Sequence, residues 1–396
     1  MTSAMGATNG TIQISRAALS HNYRLAKQLA GNCAIIAVVK SNGYGVGAEA
    51  IAKHLSSEGA RNWAVSNISE AMELRQTGIA GEIILLGHLE ADDSWFELVH
   101  QNDCCLSVSC LEDALVARDW TTRSNRTLRV HLQMEIGMKR LGIDMEQVDQ
   151  VVSAIRGHRL LQIEGAYGHP PSSHFDGLRA EHRRFESALQ KVKQYFPSVS
   201  SHFASSAGLA CGVGLDPHQY VRLGISLLGG LSSWAQSEEH RTETMGPAGC
   251  DALEKERLSD WRAVVRIVSR VVQIQRLRPG ESVSYGGDFC ARRATVVAVV
   301  PVGYADGIPT DLSNRLIVNV RNAPVKQIGR ITMNYLMLDV TDMDEVRVGE
   351  PVCIGDSVQP FHKLAKMAGH LPHELLARLS PRAPRCLVSS FRTMFG

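Results

Sequence analysis

The residues with the clearest chemical potential lie in one glycine-rich segment, Ala37–Gly47, which reads AVVKSNGYGVG. Lys40 follows an apolar run that is typical of a buried strand. A lysine that is removed from water has a lowered pKa and forms a Schiff base with an aldehyde. The same segment matches the loose dinucleotide-binding fingerprint, as Gly43-x-Gly45-x-x-Ala48. The segment therefore allows two chemistries, capture of an aldehyde by Lys40 and binding of a dinucleotide.

The dinucleotide interpretation makes a second demand on the sequence. Its fingerprint includes an acidic residue at the end of the second strand. The second strand candidate here ends Ala64-Val65-Ser66-Asn67 and has no carboxylate. A solvent-exposed lysine at a strand end is the third alternative. The local pattern by itself leaves the first two interpretations close.

The composition excludes several broad classes of protein. The chain has 396 residues, with 42 Lys and Arg against 40 Asp and Glu, so its formal charge is only +2. Such a balance lacks the basic surface that nucleic acid or an anionic membrane requires. No apolar run reaches the roughly 18–20 residues of a membrane span, and the N-terminus does not resemble a signal peptide. The expected partner is a small molecule.

The cysteines indicate the compartment and the absence of a zinc motif. The nine cysteines are odd in number and contain no CxxC spacing. Because disulfide frameworks and zinc sites need paired cysteines at defined intervals, we expect free thiols and no metal ligands. Free thiols are typical of a cytoplasmic protein, which is the predicted location.

The first part of the chain alternates short apolar runs with stretches of helix length. Eight such repeats favour a (β/α)₈ barrel, which takes about 200–250 residues, over an open doubly wound sheet. Barrel active sites lie at the carboxyl ends of the strands, where Lys40 is expected. The strand candidates are Cys33–Lys40, Trp63–Asn67, Glu82–Leu89, Cys105–Ser109, Arg129–Glu135, Gln162–Gly168, Ser201–Ser206 and Tyr220–Gly229.

The later part of the chain has a different pattern. An acidic stretch at 236–260 is expected to be a linker, which gives a barrel over 1–235 and a β domain over 261–396. Short strands separated by turn signals predict that this second domain is all-β. Residues 1–13 are a candidate to pack on it. Its strand candidates are Ala263–Leu277, Ala294–Gly303, Leu316–Val320, Val325–Ile331, Tyr335–Val340 and Pro351–Ile354.

Seven segments, in order along nearly the whole chain, resemble motifs of the alanine racemases. That family consists of pyridoxal phosphate (PLP) enzymes with an N-terminal (β/α)₈ barrel and a C-terminal β domain. The resemblance favours the Schiff-base interpretation of Lys40 over the dinucleotide one. The segments are AVVKSNGYGVG, MEIGMKRLGI, HFASSAG, VRLGISLLGG, SVSYGGDF, VPVGYADG and IGRITMNYLMLDV.

The resemblance implies a catalytic role for four residues. Lys40 would bind PLP covalently and act as one of two acid/base groups. Tyr285 would be the opposing base, contributed by the other subunit of a homodimer. Arg222 would donate a hydrogen bond to the pyridine nitrogen of PLP, and since arginine stays protonated that nitrogen would stay unprotonated. His169 would orient Arg222, with an ordinary core histidine as the alternative.

The resemblance also implies the groups that bind the phosphate of PLP and the substrate. Arg140 and the backbone N–H of Met333 would bind the carboxylate of an amino-acid substrate. The phosphate would be bound by Tyr44, the hydroxyl of Ser206, and the backbone N–H groups of Gly224 and Ile225. The implied activity is interconversion of L- and D-alanine, with serine or a larger amino acid, a decarboxylase or aldolase reaction on the same fold, and a non-catalytic PLP carrier as alternatives.

Several positions depart from the pattern of the family. Gln133 replaces a lysine that is carbamylated in many members and braces the carboxylate-binding arginine, so it is expected either to hydrogen-bond Arg140 or to leave room for an anion. Asn334 replaces a carboxylate near the substrate. Ile308 and Pro381 replace aromatic residues at the walls of the pocket, which would either widen the pocket or be compensated by other side chains.

Overall fold

The computed structural model describes residues 9–215, 218–230, 260–356 and 359–391. Except for Asp260, the acidic stretch at 236–260 lies outside the described residues. No helix in the described ranges is both long and apolar enough to cross a bilayer.

The eight predicted strands of the first part form a closed parallel barrel, which confirms the predicted fold class. The chain enters it through β1 (Thr11–Ser15) and α1 (Arg16–Ala30), and the barrel closes where its first strand pairs with its last, Ile36 opposite Arg222. The apolar runs are continuous because these strands are buried on both faces. The barrel strands are β2 (Ala34–Val38), β3 (Asn62–Val65), β4 (Glu82–Leu85), β5 (Cys104–Val108), β6 (Leu128–Met134), β7 (Leu161–Gly168), β8 (Ser200–His202) and β9 (Tyr220–Leu223).

Helices cover the outside of the barrel. Several begin at polar residues whose side chains accept free backbone N–H groups, as Asn67 does for Glu70 and Asp92 for Trp95. Their buried faces pack against the strands, so the helices fix the barrel from outside. They are α2 (Ala48–Ser57), α3 (Ile68–Gln76), α4 (Asp93–Gln101), α5 (Leu111–Ser124), α6 (Val148–Ile155), α7 (Phe175–Lys193) and α8 (Ser206–Cys211).

The second domain consists of β sheets, as predicted, with two short helices, α9 (Phe361–Ala368) and α10 (Pro372–Ala377). Its largest sheet has the order β16-β15-β18-β10-β1-β19, and the others are β11-β14-β17 and β12-β13. The strands are β10 (Val265–Arg270), β11 (Gln273–Leu277), β12 (Ser282–Val283), β13 (Phe289–Cys290), β14 (Thr295–Val300), β15 (Ile317–Val320), β16 (Ala323–Lys326), β17 (Leu336–Asp339), β18 (Pro351–Ile354) and β19 (Arg385–Val388).

Two features of this domain differ from the sequence pattern. The apolar run Ala263–Leu277 divides into β10 and β11, which belong to different sheets, with Val271 buried and Val272 exposed at the break. The first strand of the chain, β1, lies in the large sheet between β10 and β19. The N-terminal segment therefore ties the barrel to the second domain.

The second domain also contacts the segment that carries Lys40. Arg385 donates from Nη2 to the backbone oxygen of Gly45 at 2.6 Å. Gly45 has a φ of +78° and lies so close to the backbone of Leu376 and Ala377 that a Cβ there would collide with it. The position of the lysine loop thus depends on both domains.

Candidate active site

Lys40 lies directly after β2, at the carboxyl end of the barrel. A left-handed turn follows it. The four residues from Ser41 to Tyr44 have φ between +52° and +60°, so the chain forms one left-handed turn. The backbone N–H of Gly45 closes it by donating to Ser41 at 2.8 Å. Such a turn costs free energy at non-glycine residues, so its surroundings must hold it in place.

The same turn argues against the dinucleotide interpretation. A dinucleotide site leaves the N–H groups at the start of the following helix free for a pyrophosphate. Here the N–H of Ala48, the first residue of α2, donates to the side-chain oxygen of Asn42 at 2.9 Å. The N–H group at the start of α2 therefore already has an acceptor in the left-handed turn.

The electrostatic surroundings of Lys40 favour a neutral amine. Partial burial lowers the pKa of Lys40 most, and the positive charges of Arg140 and Arg222 lower it further, against the opposing effect of Glu70. A neutral amine is the form that attacks an aldehyde or accepts a proton. The three basic residues that the sequence placed in separate motifs are thus close enough to influence one another.

Arg222, on β9, is held by acceptors on several sides. Its Nη1 donates to Nδ1 and to the backbone oxygen of His202, at 2.6 and 2.9 Å. Its Nη2 donates to the backbone oxygens of Gly168 and Phe203, at 2.7 and 3.2 Å. Nε makes no hydrogen bond to the residues that the structure describes, so one donor is left for a ligand. Burial lowers the pKa of Arg222 to about 10, which leaves it charged at neutral pH.

His202 is a functional residue that the sequence analysis missed, although it begins the segment HFASSAG. It is fully buried, its ring stacks on Tyr167 with centres 4.8 Å apart, and its Nε2 lies 2.8 Å from Nδ1 of His131. The guanidinium of Arg222 also lies over the ring of Tyr167, 4.9 Å from its centre. Arg222 is therefore oriented by two rings that rise from the barrel interior.

His169 was expected to orient Arg222, but no hydrogen bond joins the two. It directly follows Gly168, whose backbone oxygen accepts from Arg222. Burial lowers the pKa of His169 to about 3, and the positive charges of Arg222, Arg140 and Lys40 act in the same direction. His169 is thus a neutral imidazole beside Arg222, Arg140 and Lys40.

The expected phosphate-binding residues come together at the ends of β2 and β9. A Cβ on Gly224 would collide with the hydroxyl and ring of Tyr44, so these two residues are in direct contact. Ser206 bonds through its hydroxyl to the hydroxyl of Ser226, at 2.9 Å. The backbone N–H groups of Gly224 and Ile225 have no acceptor within the described ranges. Free N–H groups next to hydroxyls are a typical anion-binding arrangement.

Gln133 does not bond to Arg140, contrary to one of the sequence expectations. Its Oε1 accepts from the hydroxyl of Tyr167 at 2.9 Å, and its Nε2 donates to the backbone oxygen of Leu141 at 3.0 Å. Tyr167 is bonded in turn to Ser107 at 2.9 Å. Gln133 therefore belongs to a buried polar network inside the barrel that supports the site. Arg140, in contrast, is exposed.

Tyr285 and Met333 lie on the second domain and face solvent, with 69% and 55% of their surfaces exposed. Tyr285 lines an open cavity of about 490 Å³, which only residues of the second domain form. Ser284 precedes it with a φ of +68° and donates to the backbone oxygen of Arg330 at 2.6 Å, which fixes the direction of the turn. The exposed aromatic face also includes Tyr304 and Tyr335.

The pocket-wall positions differ from their expected surroundings. Ile308 is 1% exposed and packs in the hydrophobic core. Pro381 is exposed. A different residue of the C-terminal region, His373 on α10, is close enough to Lys40 for the lysine charge to lower its pKa, after the larger effect of burial. His373 was not identified from the sequence.

Comparison with known proteins decides the family. The family model for the alanine racemase N-terminal domain matches residues 14–232, and that for the C-terminal domain matches residues 264–387. The chain belongs to the alanine racemase family. The alanine racemase of Synechocystis is 31% identical over 95% of this chain and 98% of its own length. That of Geobacter sulfurreducens is 33% identical over 94% and 95%.

Solved structures of alanine racemases have the same fold. The enzyme from a D-cycloserine-producing Streptomyces lavendulae is 26% identical, with a TM-score of 0.83 over 96% of this chain and 97% of its own. The enzyme from Bartonella henselae, solved with covalently bound pyridoxal phosphate, is 25% identical, with a TM-score of 0.80 over 96% and 100%. The predicted family, reaction class and cofactor are thereby confirmed.

The residues of this alanine racemase family member fit PLP. The free N–H groups of Gly224 and Ile225 and the absence of room for a side chain at Gly224 suit a phosphate. The unpaired Nε of Arg222 suits an unprotonated pyridine nitrogen, which is an acceptor. Lys40, with its lowered pKa, suits an aldehyde. Each polar end of the cofactor thus meets a complementary group.

Proposed function

We propose that this chain interconverts L- and D-alanine as a cytoplasmic homodimer with two active sites, each shared between subunits. The observation that carries the proposal is the lysine at the end of β2, whose pKa burial and two arginines lower, beside an arginine that leaves only Nε for a ligand. The family supplies the reaction class, and the residues below supply its steps.

The chemistry that PLP supplies when bound is withdrawal of electron density from the substrate Cα, so that its proton becomes acidic. Lys40 holds the cofactor between turnovers and then moves a proton on one face of Cα. Its lowered pKa raises the neutral share of the amine at any given pH, and the neutral amine is the form that accepts a proton. Lys40 is the first of two bases.

Arg222 limits how far electron density is withdrawn. Its remaining donor, Nε, would hydrogen-bond the ring nitrogen of PLP without transferring a proton, since the guanidinium stays charged with a pKa of about 10. A ring nitrogen that stays unprotonated draws fewer electrons than a protonated one. This restraint favours prompt return of the proton to Cα over side reactions at the cofactor.

The second base is Tyr285 of the partner subunit. Its side chain is 69% exposed, and the cavity around it contains no residue of its own barrel. Tyr285, Tyr304, Met333 and Tyr335 are large side chains of the second domain that are exposed to solvent, and a second copy of the chain would cover them. Racemisation requires bases on both faces of Cα, which the pairing of two subunits would supply.

The substrate carboxylate binds Arg140 and the backbone N–H of Met333 of the partner subunit. Arg140 is exposed, and the Met333 N–H has no acceptor within the described residues. A guanidinium and an N–H together orient a carboxylate. Alanine is the proposed substrate because the curated relatives in this family are alanine racemases.

A complementation experiment tests the shared site. Lys40→Ala and Tyr285→Phe homodimers are each expected to be nearly inactive. In a mixed dimer one site loses both groups, and the other keeps Lys40 of one chain and Tyr285 of its partner. Subunits refolded together in equal amounts therefore recover about one quarter of wild-type activity, because about half the dimers are mixed. No recovery would place both bases within one subunit.

A product screen tests the reaction and the substrate. The purified enzyme is incubated with each of the common amino acids, and the products are separated by chiral chromatography. D-Alanine from L-alanine is the expected main product, and Lys40→Ala abolishes it together with the visible absorbance of lysine-bound PLP. Faster turnover of serine or a larger amino acid would overturn the substrate assignment, and release of carbon dioxide or an aldehyde would overturn the reaction.

The cytoplasmic location rests on the cysteines. The eight cysteines within the described residues form no disulfide with one another, and five of them are buried or partly buried in the barrel. Cysteines that form no disulfides are typical of a reducing compartment. Fractionation of the native host cells, with the chain followed by antibody, is the direct test.

A further inference from the structure

Two histidines and a glutamate form a cluster on the outer wall of the barrel, away from Lys40. His182 and Glu186 are one helical turn apart on α7, so their side chains lie on one face. His218 comes from the segment just before β9, at the opposite end of that strand from Arg222. The side chain of His218 is fully buried, whereas those of His182 and Glu186 retain some exposure.

The three side chains point one atom each at a common point. Nε2 of His182 lies 2.8 Å from Nε2 of His218. Oε1 of Glu186 lies 3.2 Å from Nε2 of His218 and 3.6 Å from Nε2 of His182. Zinc binds imidazole nitrogen and carboxylate oxygen at about 2.0–2.2 Å in tetrahedral geometry, so its ligand atoms are roughly 3.3 Å apart. The observed triangle is close to that size.

The hydrogen bonds behind His218 determine where its proton lies. Oε1 of Gln219 accepts the backbone N–H of Ser201 at 2.7 Å, which identifies it as the amide oxygen. The hydroxyl of Ser201 donates to that oxygen at 3.2 Å. The oxygen of the Ser201 hydroxyl then accepts a hydrogen bond from Nδ1–H of His218, 2.8 Å away. In this arrangement His218 carries its proton on Nδ1 and directs an unprotonated Nε2 at the cluster, which is the form that binds a metal ion.

The cluster consequently has too few protons for its acceptors. In that tautomer the Nε2 lone pair of His218 and Oε1 of Glu186 lie 3.2 Å apart with no hydrogen between them. His182 can donate to only one of the two. Oε1 of Glu186 is buried and accepts no hydrogen bond from the residues that the structure describes. A buried carboxylate oxygen without a partner is costly, and a cation at the common point would satisfy all three atoms.

We propose that His182, Glu186 and His218 bind one divalent ion of the zinc class, with a water molecule completing the coordination. The ion would clamp α7 to the segment that leads into β9, so its role is structural. Imidazole ligands select zinc over magnesium, which prefers oxygen ligands. The Nδ1–H of His218 on Ser201 is the kind of outer hydrogen bond that orients a metal-binding histidine.

A second group of potential metal ligands does not need a cation. Glu82, Cys105, His131 and Glu164, on β4, β5, β6 and β7, also lie near one another. Arg129 lies between the carboxylates, 3.1 Å from Glu82 and 2.9 Å from Glu164. The guanidinium already supplies the positive charge, so no cation is required there.

The test measures metal content directly in the PLP-loaded enzyme. The protein is stripped with a chelator, incubated with micromolar zinc chloride in the presence of excess magnesium, desalted and analysed by elemental mass spectrometry. We expect one zinc per chain and a higher midpoint of thermal unfolding. Glu186→Gln and His182→Gln are each expected to retain less than a tenth of the zinc and to show no zinc-dependent rise. His100→Gln, an exposed histidine on α4, is the matched control and retains full zinc.

Two results would overturn the proposal. Wild-type protein with less than a tenth of an equivalent of zinc would mean that a shared proton, rather than a metal ion, joins the cluster. Equal zinc in wild type, Glu186→Gln and His182→Gln would place the ion elsewhere, and anomalous scattering at the zinc edge would locate it. Comparing samples of equal PLP content removes the contribution of zinc bound by the cofactor, so the outcome is independent of racemase activity.

Discussion

Nη1 of Arg222 donates to Nδ1 of His202 across 2.6 Å, and this bond sets the order of protons through the barrel interior. A guanidinium has only donors, so Nδ1 of His202 must accept and its proton must lie on Nε2. That proton is donated to Nδ1 of His131 at 2.8 Å. Burial lowers the pKa of His202 well below its usual value and that of His131 to about 3, so both rings are neutral. Arg222 is thus oriented by a neutral chain rather than a carboxylate.

The first prediction concerns His202 and His169. His202→Ala removes a hydrogen bond to a charged group, worth about 1.5–3 kcal/mol, so we expect kcat to fall roughly 10- to 100-fold. The absorbance of bound PLP is expected to shift, because Arg222 no longer holds its angle to the ring nitrogen. His169→Gln, which breaks no hydrogen bond to Arg222, is the comparison. A larger loss in His169→Gln than in His202→Ala would restore the sequence-based assignment.

The second prediction concerns the pH dependence of Lys40. Positive charge at Arg140 disfavours the ammonium and so lowers the pKa of Lys40. Arg140→Gln removes that charge, the pKa rises, and less neutral amine is present at any pH below it. We expect the rate at which the apoprotein captures PLP to rise with pH, with its midpoint at higher pH in Arg140→Gln than in wild type. Arg183→Gln, on the exposed face of α7, is the control that leaves the midpoint unchanged.

The third prediction concerns the contact between Gly224 and Tyr44. An added Cβ at Gly224 would overlap the hydroxyl and ring of Tyr44, so the backbone and the tyrosine must separate. We expect Gly224→Ala to weaken PLP binding at least tenfold, measured by fluorescence titration of the apoprotein. The circular dichroism spectrum should be retained. Unchanged affinity would show that this corner does not contact the phosphate.

The fourth prediction separates two roles of Gln133. Gln133→Leu leaves the hydroxyl of Tyr167 without its acceptor inside the barrel, which costs about 1–3 kcal/mol of unfolding free energy. Urea denaturation measures that loss. KM for alanine is expected to change less than threefold, because Gln133 does not bond to Arg140. A large rise in KM with unchanged stability would instead support the expectation that Gln133 braces the arginine.

The barrel was predictable because its strands carry their own signal. Each of the eight apolar runs overlaps an observed strand, and the predicted carboxyl ends exceed the observed ends by a few residues at most positions, as in Glu82–Leu89 against Glu82–Leu85. The apolar pattern reflects burial of side chains and not backbone pairing between strands, so it continues beyond the last hydrogen bond of the sheet. In the second domain, β12 and β13 are two residues each and too short to produce a pattern.

Residues of the candidate site were predictable where the type of a single residue indicates its chemistry. Lys40, Arg222, Arg140 and Tyr44 lie in motifs that could be recognised locally, and the structure brings them together. His202 and His373 were missed because they come close to Arg222 and Lys40 only after folding. The spacing of His182 and Glu186 was a local signal for a shared helical face, but the third member, His218, is 36 residues from His182 and adjacent only after folding.

The sequence alone determined which reactive groups exist, which strands are buried and which family the motifs resemble, because these depend on residue type and short-range periodicity. Tertiary structure decided the rest. It placed β1 between β10 and β19, turned Gln133 away from Arg140 toward Tyr167, and aligned Arg222 with His202. These are contacts between residues distant in the chain, and their geometry depends on packing of the whole barrel, which no local pattern encodes.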